Sequence, residues 1–165
     1  LGGQLEGVQH NIKTDESLAQ KMTQRLAENP GLTPTDTALG ISDALRYTAV
    51  FDEDRYTENA IAVIQKLKDS GYEIGKIKNY WKPGNTYQGV NVALENADGL
   101  KLELQFHTRD SYKVKEVESH PIYQKLRTAK DPGEAKRYRN ELYSLWSKVK
   151  TPLAVTSLGV LLAVQ

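Results

Sequence analysis

No cysteine occurs in the chain, so disulfides, thiolate metal sites and cysteine nucleophiles are excluded. Charge of one sign is also missing. The 22 Lys and Arg offset 21 Asp and Glu to a net +1, which gives no global pull toward nucleic acid or membrane. The longest apolar stretch, Pro152–Val164, is too short to span a bilayer and is expected to pack on the body. There is no P-loop, no GxGxxG, no HExxH, no internal repeat and no low-complexity tract. With neither initiator methionine nor signal peptide, a chain opening Leu1-Gly2-Gly3 reads as a domain cut from a longer polypeptide. Its 165 residues, 26% charged and 39% hydrophobic, are read most simply as one globular domain with a real core.

What is present begins with Leu100–Thr108 (LKLELQFHT). At a strand's two-residue period, Leu100, Leu102, Leu104 and Phe106 point one way and Lys101, Glu103, Gln105 and His107 the other. The preceding Tyr87–Leu94 alternates too, and the turn-rich Glu95–Gly99 joins the two as a hairpin. Pairing Leu94 with Leu100 sets Asn91 opposite Glu103, Gly89 opposite Gln105 and Tyr87 opposite His107. One face is then core and the other carries polar chemistry, with mid-strand Gly89 marking a place where a ligand comes close.

Around this hairpin, Thr14 caps a first helix with Leu18, Met22 and Leu26 at four-residue steps, ended by Asn29-Pro30-Gly31. Thr33-Pro34 opens a short helical piece, and Leu45–Phe51 reads as a strand with Asp43 and Arg46 at its entry. Thr57 is placed as the cap of a second helix whose stripe is Ala60, Ile61, Ile64 and Leu67, ended by Gly71. Tyr72–Tyr80 is a weaker, lysine-rich strand. After the hairpin come helices Asp110–Glu118 and Pro121–Ala129, split at Ser119-His120-Pro121, and Glu134–Lys150 with Leu142, Leu145, Trp146 and Val149 as its seam. This order predicts an α/β (α+β) domain, a mixed sheet flanked by helices.

Two acids near strands, Asp43 and Glu103, with lysines and an aromatic beside a glycine, suggest Mg²⁺-assisted phosphoryl chemistry. Four blocks then stand in order: IKTDESLAQK, SDALRYTAVF, KNYWKPGNTYQGVN and LELQFHT. The series resembles the signature blocks of the RelA/SpoT-type alarmone synthetases, over roughly residues 10 to 127. The resemblance implies that family's nucleotidyltransferase-like fold and an enzyme, a Mg²⁺-dependent nucleotide 3′-pyrophosphokinase that moves the β,γ-pyrophosphate of ATP to a nucleotide 3′-hydroxyl. It makes Glu103 the catalytic and Mg²⁺-binding glutamate, with Asp43 as the second metal ligand. Lys13, Ser17, Lys21 and Arg46 become ATP contacts, and Tyr87 the platform for the acceptor base. Asn91, Gln105 and His107 complete the acceptor side, Lys76, Lys78 and Lys82 are phosphate contacts, and His120 with Tyr123 is a structural H-x-x-Y element.

The chain departs from the family pattern at four places, one of them a shorter acceptor loop. Asp43 precedes Arg46 by three residues instead of five. Asn91 stands where the family has histidine, and His107 where it has arginine. The last two changes point away from guanine toward an adenine acceptor, AMP, ADP or ATP, giving (p)ppApp. Without hydrolase and regulatory domains, the resemblance implies a C-terminal toxin domain of a secreted interbacterial effector that depletes adenylates in a target cell's cytoplasm. A cognate immunity protein is then expected as partner. The alternatives are a GDP/GTP-using ppGpp synthetase acting in its own cytoplasm, a toxin that pyrophosphorylates tRNA 3′ ends, and an inactive nucleotide-binding module.

Overall fold

A computed structural model of the chain describes residues 3–8 and 12–163; Leu1, Gly2 and Val164 of the segments named above lie outside them. A sheet of five strands runs in the order β1-β2-β5-β4-β3, formed by β1 (Gln4–Glu6), β2 (Arg46–Phe51), β3 (Glu73–Asn79), β4 (Val90–Glu95) and β5 (Lys101–Thr108). Only the β2–β5 pair is parallel, so the sheet is mixed as expected. β1 was not legible in the sequence. It is three residues long, too short to show alternation.

The strands β2, β4 and β5 bury one face almost completely. Phe106, Val90 and Val92 are fully covered, and α3 (Tyr56–Asp69) lies on them through Ala60 and Ile64. Thr57 does not cap α3. It lies within the first turn and donates its hydroxyl to the Leu153 carbonyl at 2.7 Å, tying the helix to the C-terminal segment. The helix ends as expected at Gly71, whose φ of 87° suits the left-handed region.

The hairpin register is offset by two residues from the expected one. Asn91 faces Gln105, Ala93 faces Glu103 and Leu94 faces Leu102. Asn96 causes the difference: its side-chain oxygen accepts from the amides of Asp98 and Leu100, and Gly99 takes φ 79°. The loop therefore closes between Asn96 and Leu100, leaving Leu100 52% exposed instead of in the core. An even offset preserves parity, so Asn91, Glu103, Gln105 and His107 still share one face.

Before the site come α1 (Asp15–Glu28), capped by Thr14, and α2 (Pro34–Leu39), capped by Thr33. After β5 the chain is helical without a break through α4 (Arg109–Lys113), a π-helical turn Val114–Ser119, and α5 (His120–Thr128). The split expected at Pro121 is absent. Proline supplies no amide to the helical ladder, and the helix passes it by widening for one turn just before it. Next is α6 (Pro132–Trp146), whose Leu142 and Trp146 are buried, and the described chain ends with α7 (Leu158–Ala163).

Candidate active site

The polar face of β4 and β5 opens into a cavity of about 520 Å³, within the range of small-ligand sites. One wall carries Lys13, Asp43 and Arg46, the floor Tyr87, Asn91 and Gln105, and the far wall Lys115, His120, Tyr123 and Arg127. A cavity of about 480 Å³ on the opposite sheet face is lined by apolar side chains such as Tyr47, Phe51 and Leu104 and carries no acid or base.

Local pairing brings the first wall together. The Lys13 amide donates to the Ala44 carbonyl and Ile12 bridges Leu45, so the segment before α1 lies against the entry to β2. Asp43 then receives Lys13 Nζ at 3.1 Å, Lys21 Nζ at 2.5 Å and Arg46 Nη2 at 3.3 Å. Burial by itself would raise the Asp43 pKa, but the Lys21 and Lys13 ammonium groups outweigh it and hold the carboxyl at about 2.

Parallel pairing sets Arg46 directly beside Glu103, and the guanidinium Nε donates to Glu103 Oε1 at 2.8 Å. Gln105 Nε2 donates to the same oxygen at 2.9 Å. Glu103 Oε2 receives only a long bond of 3.4 Å from Asn91 Nδ2, so it is the less engaged oxygen. Behind it, Tyr87 hydroxyl bonds Asn91 Oδ1 at 2.8 Å and His107 Nε2 at 2.9 Å, and His107 Nδ1 meets Ser111 Oγ at 2.9 Å.

His107 is not a cavity residue, contrary to expectation. It is 0% exposed, placed behind Tyr87, and burial, assisted by the Lys115 charge, pushes its pKa well below the ordinary value. It is a neutral imidazole holding Tyr87. Gly89 is explained by the same packing. A Cβ there would lie 2.8 Å from His107 Cε1 and 3.0 Å from the Tyr87 hydroxyl, so what comes close to Gly89 is this pair of side chains.

Ser17 stays at the exposed first turn of α1, where its amide bonds the Thr14 hydroxyl, and it does not line the cavity. Lys76, Lys78 and Lys82 are exposed and do not line it either; Lys78 pairs across to Asn91 but stands on the edge strand β3. The far wall was missed, except that His120 and Tyr123 were noted as structural. Its signal was the spacing of His120, Tyr123, Gln124 and Arg127, one stripe on a helix, all four of which line the cavity.

Asp43 and Glu103 offer hard oxygen donors, and both already meet a cation, the guanidinium of Arg46. Mg²⁺ takes one or two carboxylates and completes its shell with water and substrate phosphates. The pair fits that demand, and among the described residues no third acid or histidine joins it.

No family model and no curated protein matches the chain. Solved structures do. A GTP pyrophosphokinase family protein from Streptococcus pneumoniae superposes with TM-score 0.59 at 16% identity, covering 89% of this chain and 70% of that one. Small alarmone synthetase 2 from Bacillus subtilis does so with TM-score 0.59 at 19% identity, over 99% and 80%. The fold is that of the alarmone synthetases. The Type VI effector Tas1, solved with its immunity protein, shares this alarmone-synthetase fold with TM-score 0.53 at 19% identity, over 88% of this chain and 80% of that one.

Proposed function

We propose that the chain is a Mg²⁺-dependent pyrophosphokinase that transfers the β,γ-pyrophosphoryl group of ATP to the 3′-hydroxyl of a purine nucleotide, with adenine nucleotides as acceptors. The observation that carries this is Glu103. It lies at the edge of a nucleotide-sized cavity, bonded to the lining residues Arg46, Gln105 and Asn91, with one oxygen fixed by Arg46 and Gln105 and the other turned to a long contact, beside an aromatic floor at Tyr87. Glu103 Oε2 accepts the 3′-hydroxyl proton as the O3′–Pβ bond forms. The bridging Pα–O–Pβ bond breaks on the β side, and AMP leaves with the bridging oxygen. Mg²⁺ held by Asp43 and Glu103 would neutralise the phosphate oxygens. Lys13 and Lys21 are placed to meet donor phosphates when Asp43 exchanges their company for the metal, and Arg46 is then free to turn toward the donor base.

Support for adenine acceptors is the absence of fixed positive charge on the cavity floor, where Tyr87, Asn91 and Gln105 are uncharged and the imidazole of His107 behind them is neutral. The effector reading is supported by the fold shared with Tas1, and it carries with it an immunity protein as partner and a target cell's cytoplasm as the place of action.

The test is incubation with ATP, Mg²⁺ and, separately, AMP, ADP, GDP or tRNA, with products resolved by chromatography. ADP should yield a 3′-pyrophosphorylated product and one AMP per transfer. Glu103→Gln should lower the rate by about a hundredfold to ten-thousandfold, the usual share of a general base. GDP outperforming ADP by about tenfold in kcat/KM (~1.4 kcal/mol) would replace the adenylate reading with a guanylate one.

A further inference from the structure

Lys115 and Arg127, both on the far wall of the cavity, have no task in the reaction above. Lys115 lies in the π-helical turn Val114–Ser119, a rare conformation that recurs at functional sites. Its side chain is 18% exposed, and its one carboxylate partner among the described residues is the adjacent Glu116 at 2.8 Å, itself 43% exposed. An ammonium mostly withdrawn from water and facing one solvated carboxylate is short of compensation. The other cations on the walls are engaged, Lys13 and Arg46 with Asp43 and Arg127 with Gln20. Position ties Lys115 to the acceptor side: its Nζ stands 5.7 Å from the Tyr112 ring centre, that ring lies 6.4 Å from His107, and His107 holds Tyr87.

We propose that Lys115 binds the 5′-phosphate oxygens of the acceptor nucleotide, exchanging Glu116 for the ligand. The charge that the acceptor floor lacks at His107 is thereby supplied from the helix above it, and the wide turn is what aims it. Removing one residue from that turn would rotate Lys115 against the His120–Arg127 stripe by roughly 100°. Burial lowers the Lys115 pKa, and an incoming phosphate would restore its preference for the charged form. The inference rests on the pyrophosphokinase reading of the site.

The experiment is calorimetric titration of ADP and of adenosine into the chain, with the donor site filled by Mg²⁺ and α,β-methylene-ATP. Lys115→Met should weaken ADP binding about tenfold to a hundredfold, the scale of a charge-assisted contact, and leave adenosine unchanged. Lys115→Arg should retain most of the ADP affinity, and Lys115→Gln repeats the neutral substitution should the methionine variant fail to fold. Unchanged ADP binding in the neutral variants overturns the inference, as does equal weakening of ADP and adenosine, which marks a packing role. If the wild type binds neither ligand nor the ATP analogue, the pyrophosphokinase reading itself falls.

Discussion

Glu103, an acceptor to Arg46, Gln105 and Asn91, orders the protons in the network behind it. A carboxylate only accepts, so Asn91 presents Nδ2 to it and turns Oδ1 to Tyr87. Tyr87 must then donate to Asn91, which leaves its oxygen to accept the Nε2 proton of His107, and Nδ1 accepts from Ser111 at 2.9 Å in preference to that hydroxyl's longer 3.3 Å bond to the Thr108 carbonyl. His107 is therefore the neutral Nε2–H tautomer, an assignment fixed by its neighbours. In the unfolded chain it titrates at the ordinary value of 6.5, and in the fold well below it. The unfolded state thus binds more protons as pH falls through 6.5, so stability is full above that pH and declines below it. Melting temperatures between roughly pH 8 and 5 should show this decline, and His107→Gln should flatten it, although the variant starts less stable. A pH slope unchanged by His107→Gln would mean that the imidazole takes up its proton in the fold as readily as in the unfolded chain.

Among the elements, α3, the Tyr80–Gly89 loop and β5 are joined at one hydroxyl. Tyr56 on α3 donates to the Phe106 carbonyl at 2.8 Å and accepts from Trp81 Nε1 at 3.0 Å. Both Tyr56 and Trp81 are within 1% of full burial, so no water can replace the bond. Tyr56→Phe leaves the buried Trp81 N–H unpaired and takes one donor from the Phe106 carbonyl, and should cost about 1–3 kcal/mol, read as a lower denaturant midpoint with an unchanged slope. The loop that carries Tyr87 hangs from Trp81, so acceptor KM should rise in the same variant while donor KM holds. An unchanged midpoint would show that the hydroxyl carries no net weight.

The whole molecule is nearly neutral, with 22 basic against 21 acidic residues, and the cations of the first cavity wall are spent locally on Asp43 and Glu103. Binding to a polyanion would need several unspent cations on one face, each releasing a counterion. Association with tRNA should therefore be weak and vary little between about 50 and 200 mM salt, measured by filter binding. A steep salt slope with tRNA turnover above that of ADP would favour the tRNA reading. Among the described residues no helix is long and apolar enough to cross a membrane.

The sequence by itself determined what depends on neighbours along the chain. Capping by Thr14, the stop at Gly71 and the parity of β4 and β5 are local, set by side-chain reach, backbone freedom and the two-residue pleat. Those suffice to place Asn91, Glu103 and Gln105 on one polar face. Register and partnership were decided only by tertiary structure. The side chain of Asn96 moved the hairpin by two residues without changing its faces. Arg46 reaches Glu103 because β2 runs parallel to β5, a pairing across 57 positions that no local pattern encodes. His107 left the site, and Lys115 came onto the cavity wall, for the same reason. An imidazole on the polar face of a strand reads as exposed until Tyr87 and Ser111 close over it, and a helix-borne lysine reads as solvated until its turn faces a cavity. Alternation gives the direction of a side chain, while burial depends on what packs above it.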